Sequence, residues 1–259
     1  MSESTISIII PVANEAALIR AFLLHLRDRA PGAELVVVDG GSTDGTAVLA
    51  QELADHVVTA VRGRAAQMNT GARCSRGEVL WFLHVDSEVP HRCLDHIRLS
   101  LSDSRVSGGY FHLRLPRRGW IYRFQDTFGF YVGRLLRMRC GDHGIFCRRD
   151  LFFALGGYPD VPLMEDVGFV RRLYRAGCVS ALSPRIITSL RRIDQVGAYR
   201  YTAACVLVVV LYCFGISETL LARLYSRMVT SRETLSENPQ CPRRNFEAQH
   251  GPMAQEGLL

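Results

Sequence analysis

Acidic residues occur at spacings that chemistry could use in this 259-residue sequence. In Val79-Leu80-Trp81-Phe82-Leu83-His84-Val85-Asp86-Ser87-Glu88-Val89-Pro90, an apolar run breaks into two carboxylates and stops at proline. Asp86 and Glu88 are two residues apart, so in extended backbone both can point one way and hold a hard divalent cation against a phosphate. A solvated acidic turn would use the same residues, and the motif alone leaves both readings open. Glu165-Asp166 precedes an amphipathic stretch, 167–175. Carboxylates there suit the free N–H groups of a helix N-terminus, or an acid–base pair. Asp39-Gly40-Gly41-Ser42-Thr43-Asp44-Gly45-Thr46 combines turn glycines with good helix caps.

Positioning these groups requires strands that end where the acids begin. Apolar, β-branched runs at 6–12, 35–38, 57–61 and 79–84 are strand-like, and Pro90 places Asp86 and Glu88 on a loop at the edge of the sheet. Between these runs, a helix opens at Asn14 or Glu15 and runs to Arg29, with Leu18, Phe22 and Leu26 on one stripe. Further helices fit 46–54 and 64–73. This alternation predicts an α/β fold with a doubly wound, mostly parallel sheet, right-handed crossovers and a nucleotide-sized crevice at the carboxyl rim.

Some chemistries are excluded. All 31 basic residues are arginine, so a P-loop lysine, a Schiff-base lysine and a pyridoxal anchor are impossible. The glycines do not fit G-x-G-x-x-G, which disfavours a dinucleotide-binding dehydrogenase. The eight cysteines include no C-x-x-C pair and read as reduced thiols. The net charge of +6 is uneven: residues 1–104 hold 9 Arg against 13 acids, and 105–200 hold 17 against 7. A basic middle suits phosphates, anionic lipid heads or nucleic acid, but the aromatic layout of a nucleic-acid module is absent, so no nucleic acid is expected as a partner.

The second half reads less regularly. A helix is expected near 92–102, a strand with one polar face at 108–115, a turn at Gly141-Asp142-His143-Gly144, a short strand at 145–147 and a helical turn at 151–155. The basic, aromatic-rich stretch 120–139 reads as a helix. Its Trp120, Tyr122, Phe124, Phe128, Phe130 and Tyr131 are expected to pack in a core or lid. Residues 201–217 carry no charge and are at the lower limit for a bilayer span. The reading is a helix that packs on the domain or lies in a membrane interface, continued by an amphipathic 218–227. The organisation expected is a domain at 1–200, a helical segment at 201–228 and a disordered tail at 229–259, with no cleavable signal peptide.

Ile8-Ile9-Ile10-Pro11-Val12-Ala13-Asn14-Glu15, the Val36 to Thr46 segment, Phe82 to Glu88 and Glu165-Asp166 together resemble a family 2 glycosyltransferase of the GT-A fold. Arg64-Ala65-Ala66-Gln67-Met68-Asn69 and Gly141-Asp142-His143-Gly144-Ile145-Phe146 look further like the bacterial rSAM/selenodomain-associated transferases. The resemblance implies a Rossmann-like sheet with a C-terminal helical segment. It also implies transfer of a sugar from a nucleotide-sugar donor, a UDP-sugar, to an acceptor hydroxyl with inversion, the acceptor itself being unnamed. Pro11, Val12, Ala13, Asn14, Glu15, Asp39, Gly40, Ser42, Asp44, Arg64, Asp86 and Ser87 would bind the nucleotide. Asp39 would accept from a base N–H, Arg64 would lie near the base or diphosphate, and Asp86 would touch ribose or metal. Glu88, with Asp86, would hold Mg²⁺ or Mn²⁺; Asp166 would be the general base, with Glu165 beside it. His84 and His143 could be further ligands or diphosphate donors. Glu88 departs from the family's usual D-x-D, which weakens the case for a metal. The Q-x-x-R-W of processive members is absent. A non-catalytic nucleotide-sugar-binding protein and a membrane-associated polyprenyl-phosphate transferase remain as alternatives. Location is expected to be cytoplasmic, with peripheral contact to the inner membrane face through 201–228 left open.

Overall fold

The β-branched runs of the first half become the centre of the sheet. The computed structural model describes residues 4–229. In it β1 (Ile6–Val12), β2 (Glu34–Asp39), β3 (His56–Thr59) and β4 (Val79–Phe82) pair in parallel, with Val12 opposite Asp39 and Ile8 opposite Trp81. Ile8, Ile9, Ile10, Val36, Val37 and Trp81 are wholly inaccessible, as strands covered on both faces must be. The helices α1 (Ala16–Arg29), α2 (Thr46–Gln51) and α3 (Arg64–Cys74) make the crossovers. Two apolar cores result. Ile8, Phe22, Leu26 and Trp81 lie in one, and Ile9, Val38, Met68 and Phe82 in the other.

The second half completes the sheet differently. It comprises β5 (Ser87–Glu88), α4 (Cys93–Leu101), β6 (Val106–Arg114), α5 (Trp120–Leu135), β7 (Phe146–Arg148), α6 (Arg149–Ala154), α7 (Glu165–Ala176), β8 (Cys178–Thr188), α8 (Arg191–Val196), α9 (Ala198–Cys213) and α10 (Glu218–Val229). Among the described residues the strand order is β3-β2-β1-β4-β7-β6-β8-β5. β7 runs antiparallel to both β4 and β6, while β8 runs parallel to β6.

Several expectations are corrected here. The strand expected at 79–84 stops at Phe82, because its antiparallel partner is only three residues long. The acids after it are not all on a free loop: Ser87–Glu88 pairs with Ile187 and Thr188 of β8. The long strand β8 is absent from the sequence reading because Pro184 interrupts its pattern. The register against β6 skips between Leu182 and Arg185, and this irregularity accommodates the proline. Most consequentially, the α5 aromatics are not core. Only Gly133 of α5 is buried, and Trp120, Phe124 and Tyr131 are 66%, 45% and 65% exposed. The helix expected from Tyr201 begins earlier, at Ala198. No helix among the described residues is long and apolar enough to cross a membrane. The tail expected at 229–259 lies outside the described residues, except for Val229, which ends α10.

Candidate active site

The carboxyl ends of β1 and β2 are laced together by the loop residues that follow them. Asn14 adopts a left-handed backbone (φ 58°), which asparagine tolerates, and its side-chain oxygen accepts from Thr43 N–H at 2.9 Å. The Asn14 N–H donates to Ser42 Oγ at 2.8 Å, and the Glu15 N–H to Thr46 Oγ1 at 2.8 Å. Asp44 accepts from the N–H groups of Ala16 and Thr46, both at 3.0 Å. The Thr46 hydroxyl, then the Ala16 N–H, hold the Asp44 pKa below its ordinary value. Asp39 is buried and accepts from Gly41 N–H, Ser42 N–H and the Ser42 hydroxyl. Gln67 donates at 2.8 Å to the carbonyls of Val12 and Val38, tying the two strand ends together. Gly40 permits this approach, because a Cβ there would lie 3.0 Å from Gln67 Nε2. Pro11 and Ala13 are half-buried and Val12 buried along the same rim.

A second group of charges lies beyond β4. Glu165 and Asp166 are both buried in the first turn of α7, which Met164 enters in left-handed conformation (φ 67°). Asp166 Oδ2 accepts from Gly141 N–H at 2.8 Å, while Oδ1 has no hydrogen-bond partner among the described residues. Burial, then the charge of Glu165, push the Asp166 carboxyl up to about 7. Half-exposed Arg64 heads α3, with Nη1 3.8 Å from Glu165 Oε1. Burial opposes its charge, but Asp166, Asp142 and Glu165 outweigh that and raise its pKa.

Gly141 sits where no side chain fits. A Cβ would come within 2.5 Å of His84 Nε2 and 3.0 Å of Asp166 Oδ2. His84 and the Asp166 carboxylate thus both border the space that such a Cβ would fill. Burial and Arg64 lower the His84 pKa to about 4, so it is neutral at ordinary pH, and its 3.8 Å approach to Asp142 is too long for a hydrogen bond. His143 is lowered similarly, to about 4, by burial and Arg139, and its Nδ1 lies 3.2 Å from the Cys140 carbonyl.

Asp86 and Glu88, expected to act together, differ in their surroundings: Asp86 is half-buried and Glu88 exposed. Burial, then Asp142, raise the Asp86 pKa, while Arg191 opposes them. Glu88 is exposed, and its charge acts instead on His25 of α1, whose Nε2 accepts from the Val89 N–H at 3.0 Å. Ser87, between them, is buried, and its hydroxyl has no hydrogen-bond partner among the described residues. Among the described residues no group of three or more His, Cys, Asp and Glu side chains is placed to hold a metal. Asp86 and Asp142, whose charge acts on Asp86, are the two carboxylates that could hold a cation. That number suits Mg²⁺ or Mn²⁺ when substrate phosphates supply further ligands. The sequence reading missed Arg191, which pairs with Glu15 through two 2.8 Å contacts and also acts on Asp86. One arginine among 31 gives no signal. Asp142 stood in a quoted motif but had no assigned role.

Comparison with known proteins agrees with this architecture. The family model described as "Glycosyl transferase family 2" matches residues 7–152. The chain is similar to glycosyltransferase AglE of Haloferax volcanii, with 28% identity over 188 residues, covering 66% of this chain and 62% of that protein's length. Among solved structures, it is similar to the mannosyltransferase PcManGT of Pyrobaculum calidifontis, described in complex with GDP-Man and Mn²⁺. There the TM-score is 0.61 at 22% identity, covering 88% of this chain and 70% of the other. S. aureus TarS gives a TM-score of 0.58 at 16% identity, covering 89% and 44%. At these identities the structures speak for the fold, a GT-A sheet flanked by helices.

Proposed function

Because the chain belongs to glycosyl transferase family 2, we propose that it transfers a sugar from a nucleotide-sugar donor to an acceptor hydroxyl with inversion, Asp166 acting as general base. The observation carrying this is the state of Asp166. One oxygen is fixed by the Gly141 N–H, the other has no partner among the described residues, and the carboxyl is poised near 7. A base so tuned accepts a proton from an alcohol as the oxygen attacks, while about half of it is still ionised at pH 7. The acceptor O–H bond breaks toward Asp166 Oδ1. The new C–O bond forms at the anomeric carbon, and the bond to the diphosphate breaks on the opposite face. Glu165 raises its neighbour's basicity and holds Arg64.

On the donor side, the loop from Pro11 to Glu15 and the turn of Asp39, Gly40, Ser42 and Asp44 frame the nucleotide. Asp39, held by donors of its own turn, would exchange or share one of them to accept the N3–H of uracil. Arg64 faces the diphosphate. Asp86 and Asp142 would hold Mg²⁺ or Mn²⁺, which when bound would offset the charge of the leaving diphosphate. The likeness of the Gly141 to Phe146 segment to the rSAM/selenodomain-associated transferases is the finer family placement we propose.

A thermal-shift panel of UDP-, GDP- and dTDP-sugars with and without Mn²⁺, followed by turnover with Asp166→Asn, tests this reading. The expected result is stabilisation by a UDP-sugar, greater with Mn²⁺, and slow donor hydrolysis that the variant loses. Binding without any turnover would instead indicate a nucleotide-sugar-binding protein.

A further inference from the structure

We infer that the face formed by α5 and α9 docks on the surface of an anionic lipid bilayer. The inference stands apart from the catalytic reading, because it uses none of the same residues. On α5, Trp120, Phe124, Tyr131 and Leu135 fall at i, i+4, i+11 and i+15, one stripe of a helix. All four are exposed, Leu135 by 82%. On α9, Tyr199, Leu207, Val210 and Phe214 at its end make a second exposed apolar stripe. The two lie side by side: the Trp120 and Tyr199 rings are 5.4 Å apart, and Gln125 Nε2 donates to Thr202 Oγ1 at 2.7 Å. Between them runs an apolar groove of about 520 Å³ lined by Ile121, Phe124, Ala203 and Val206.

An exposed apolar face of this extent calls for a cover, and the surrounding charge says which. Residues 114–139 contain seven arginines and one acid, Asp126. Arg123 and Arg134 are exposed and, by helical spacing, border the Trp120–Tyr131 stripe on one side. Arg118 is exposed just before the helix. Apolar residues edged by arginine, with Trp and Tyr among them, match the acyl boundary and acidic headgroups of a membrane surface. A second copy of the chain would instead set these arginines against each other. Neither helix spans a bilayer, so the contact lies in the interface plane.

The full chain supplies its own reporter, since Trp81 is inaccessible and Trp120 exposed, and the sequence has no other tryptophan. Emission and flotation are measured with vesicles of phosphatidylcholine alone and with phosphatidylglycerol added, at low and high salt. The expected result is co-flotation with the anionic vesicles, weakened by salt, with a blue shift of Trp120 emission that Trp120→Phe removes. Arg123→Glu and Arg134→Glu should each lower the partition coefficient by fivefold or more, from about 1 kcal/mol per arginine at an anionic surface. Unchanged circular dichroism and donor binding show that these variants fold. Absence of flotation with both vesicle types, or concentration-dependent dimerisation that buries Trp120 without vesicle binding, overturns the inference. Equal binding of the Arg→Glu variants also overturns it.

Discussion

In the loop after β2, Asp39 is surrounded by donors from Gly41 and Ser42. At the head of α7, Asp166 accepts one backbone N–H, keeps one oxygen without a partner among the described residues and lies next to another buried acid. Both are buried carboxylates of the candidate site, but the first already accepts the donors of its own turn and the second is available for a proton. Donors around a carboxylate stabilise its ionised form and build structure; burial beside a like charge raises its pKa and builds reactivity. Residue type and position on the sheet do not separate these roles, and the count of donors does.

The sharpest way to break this comparison is to exchange acid for amide at each site. Asp166→Asn should lower the rate of sugar transfer by about 10²- to 10⁴-fold, as loss of a general base does, with melting temperature undiminished. If transfer persists at the wild-type rate, Asp166 is not the general base.

Proton linkage gives the next largest effect. The Asp166 carboxyl is raised in the folded state from 3.8 to about 7, so the folded protein binds this proton more tightly than the unfolded chain. Its contribution to stability is full below about pH 4 and is lost as pH rises through 7, by up to a few kcal/mol. Asp166→Asn should therefore be more stable than wild type at pH 8 and lose that advantage below pH 4, as read by urea denaturation. In parallel, wild-type kcat should fall as pH drops below about 7, because the base becomes protonated.

For Asp39→Ala the effect belongs on stability. The N–H groups of Gly41 and Ser42 lose their acceptor, which costs about 1–3 kcal/mol in chemical denaturation. Any loss of transfer should appear as weaker donor binding more than as lower kcat. The smallest effect separates two neighbours. Asp86→Asn should reduce Mn²⁺-dependent transfer tenfold or more, while Glu88→Gln should stay within about twofold, titrated against metal. The reverse order would return the cation to Glu88.

How far the site was legible depends on the range of the interactions. The turn from Asp39 to Thr46 is local, and its cap residues signal its geometry directly. Glu165 and Asp166 were also legible as a pair at a helix start. By contrast, the influence of Asp142 and Arg191 on Asp86 joins residues far apart in sequence, through strands whose order no local pattern encodes. The D-x-E spacing suggested a shared direction for Asp86 and Glu88. That inference did not hold because Asp86 lies in the turn before the two-residue strand Ser87–Glu88, outside the extended backbone, and the charge of Glu88 acts on His25.

The sequence by itself determined the parallel half of the sheet, since continuous β-branched runs between amphipathic helices have few other ways to bury themselves. It also determined the arginine-only basicity and the chemistries that this excludes. Only the tertiary structure decided which acids are satisfied and which are held back, because a pKa depends on what surrounds a carboxyl. It also decided that the α5 aromatics face outward. Hydrophobic periodicity identifies an apolar face but not its partner, and the fold places α9, not a core, beside Trp120.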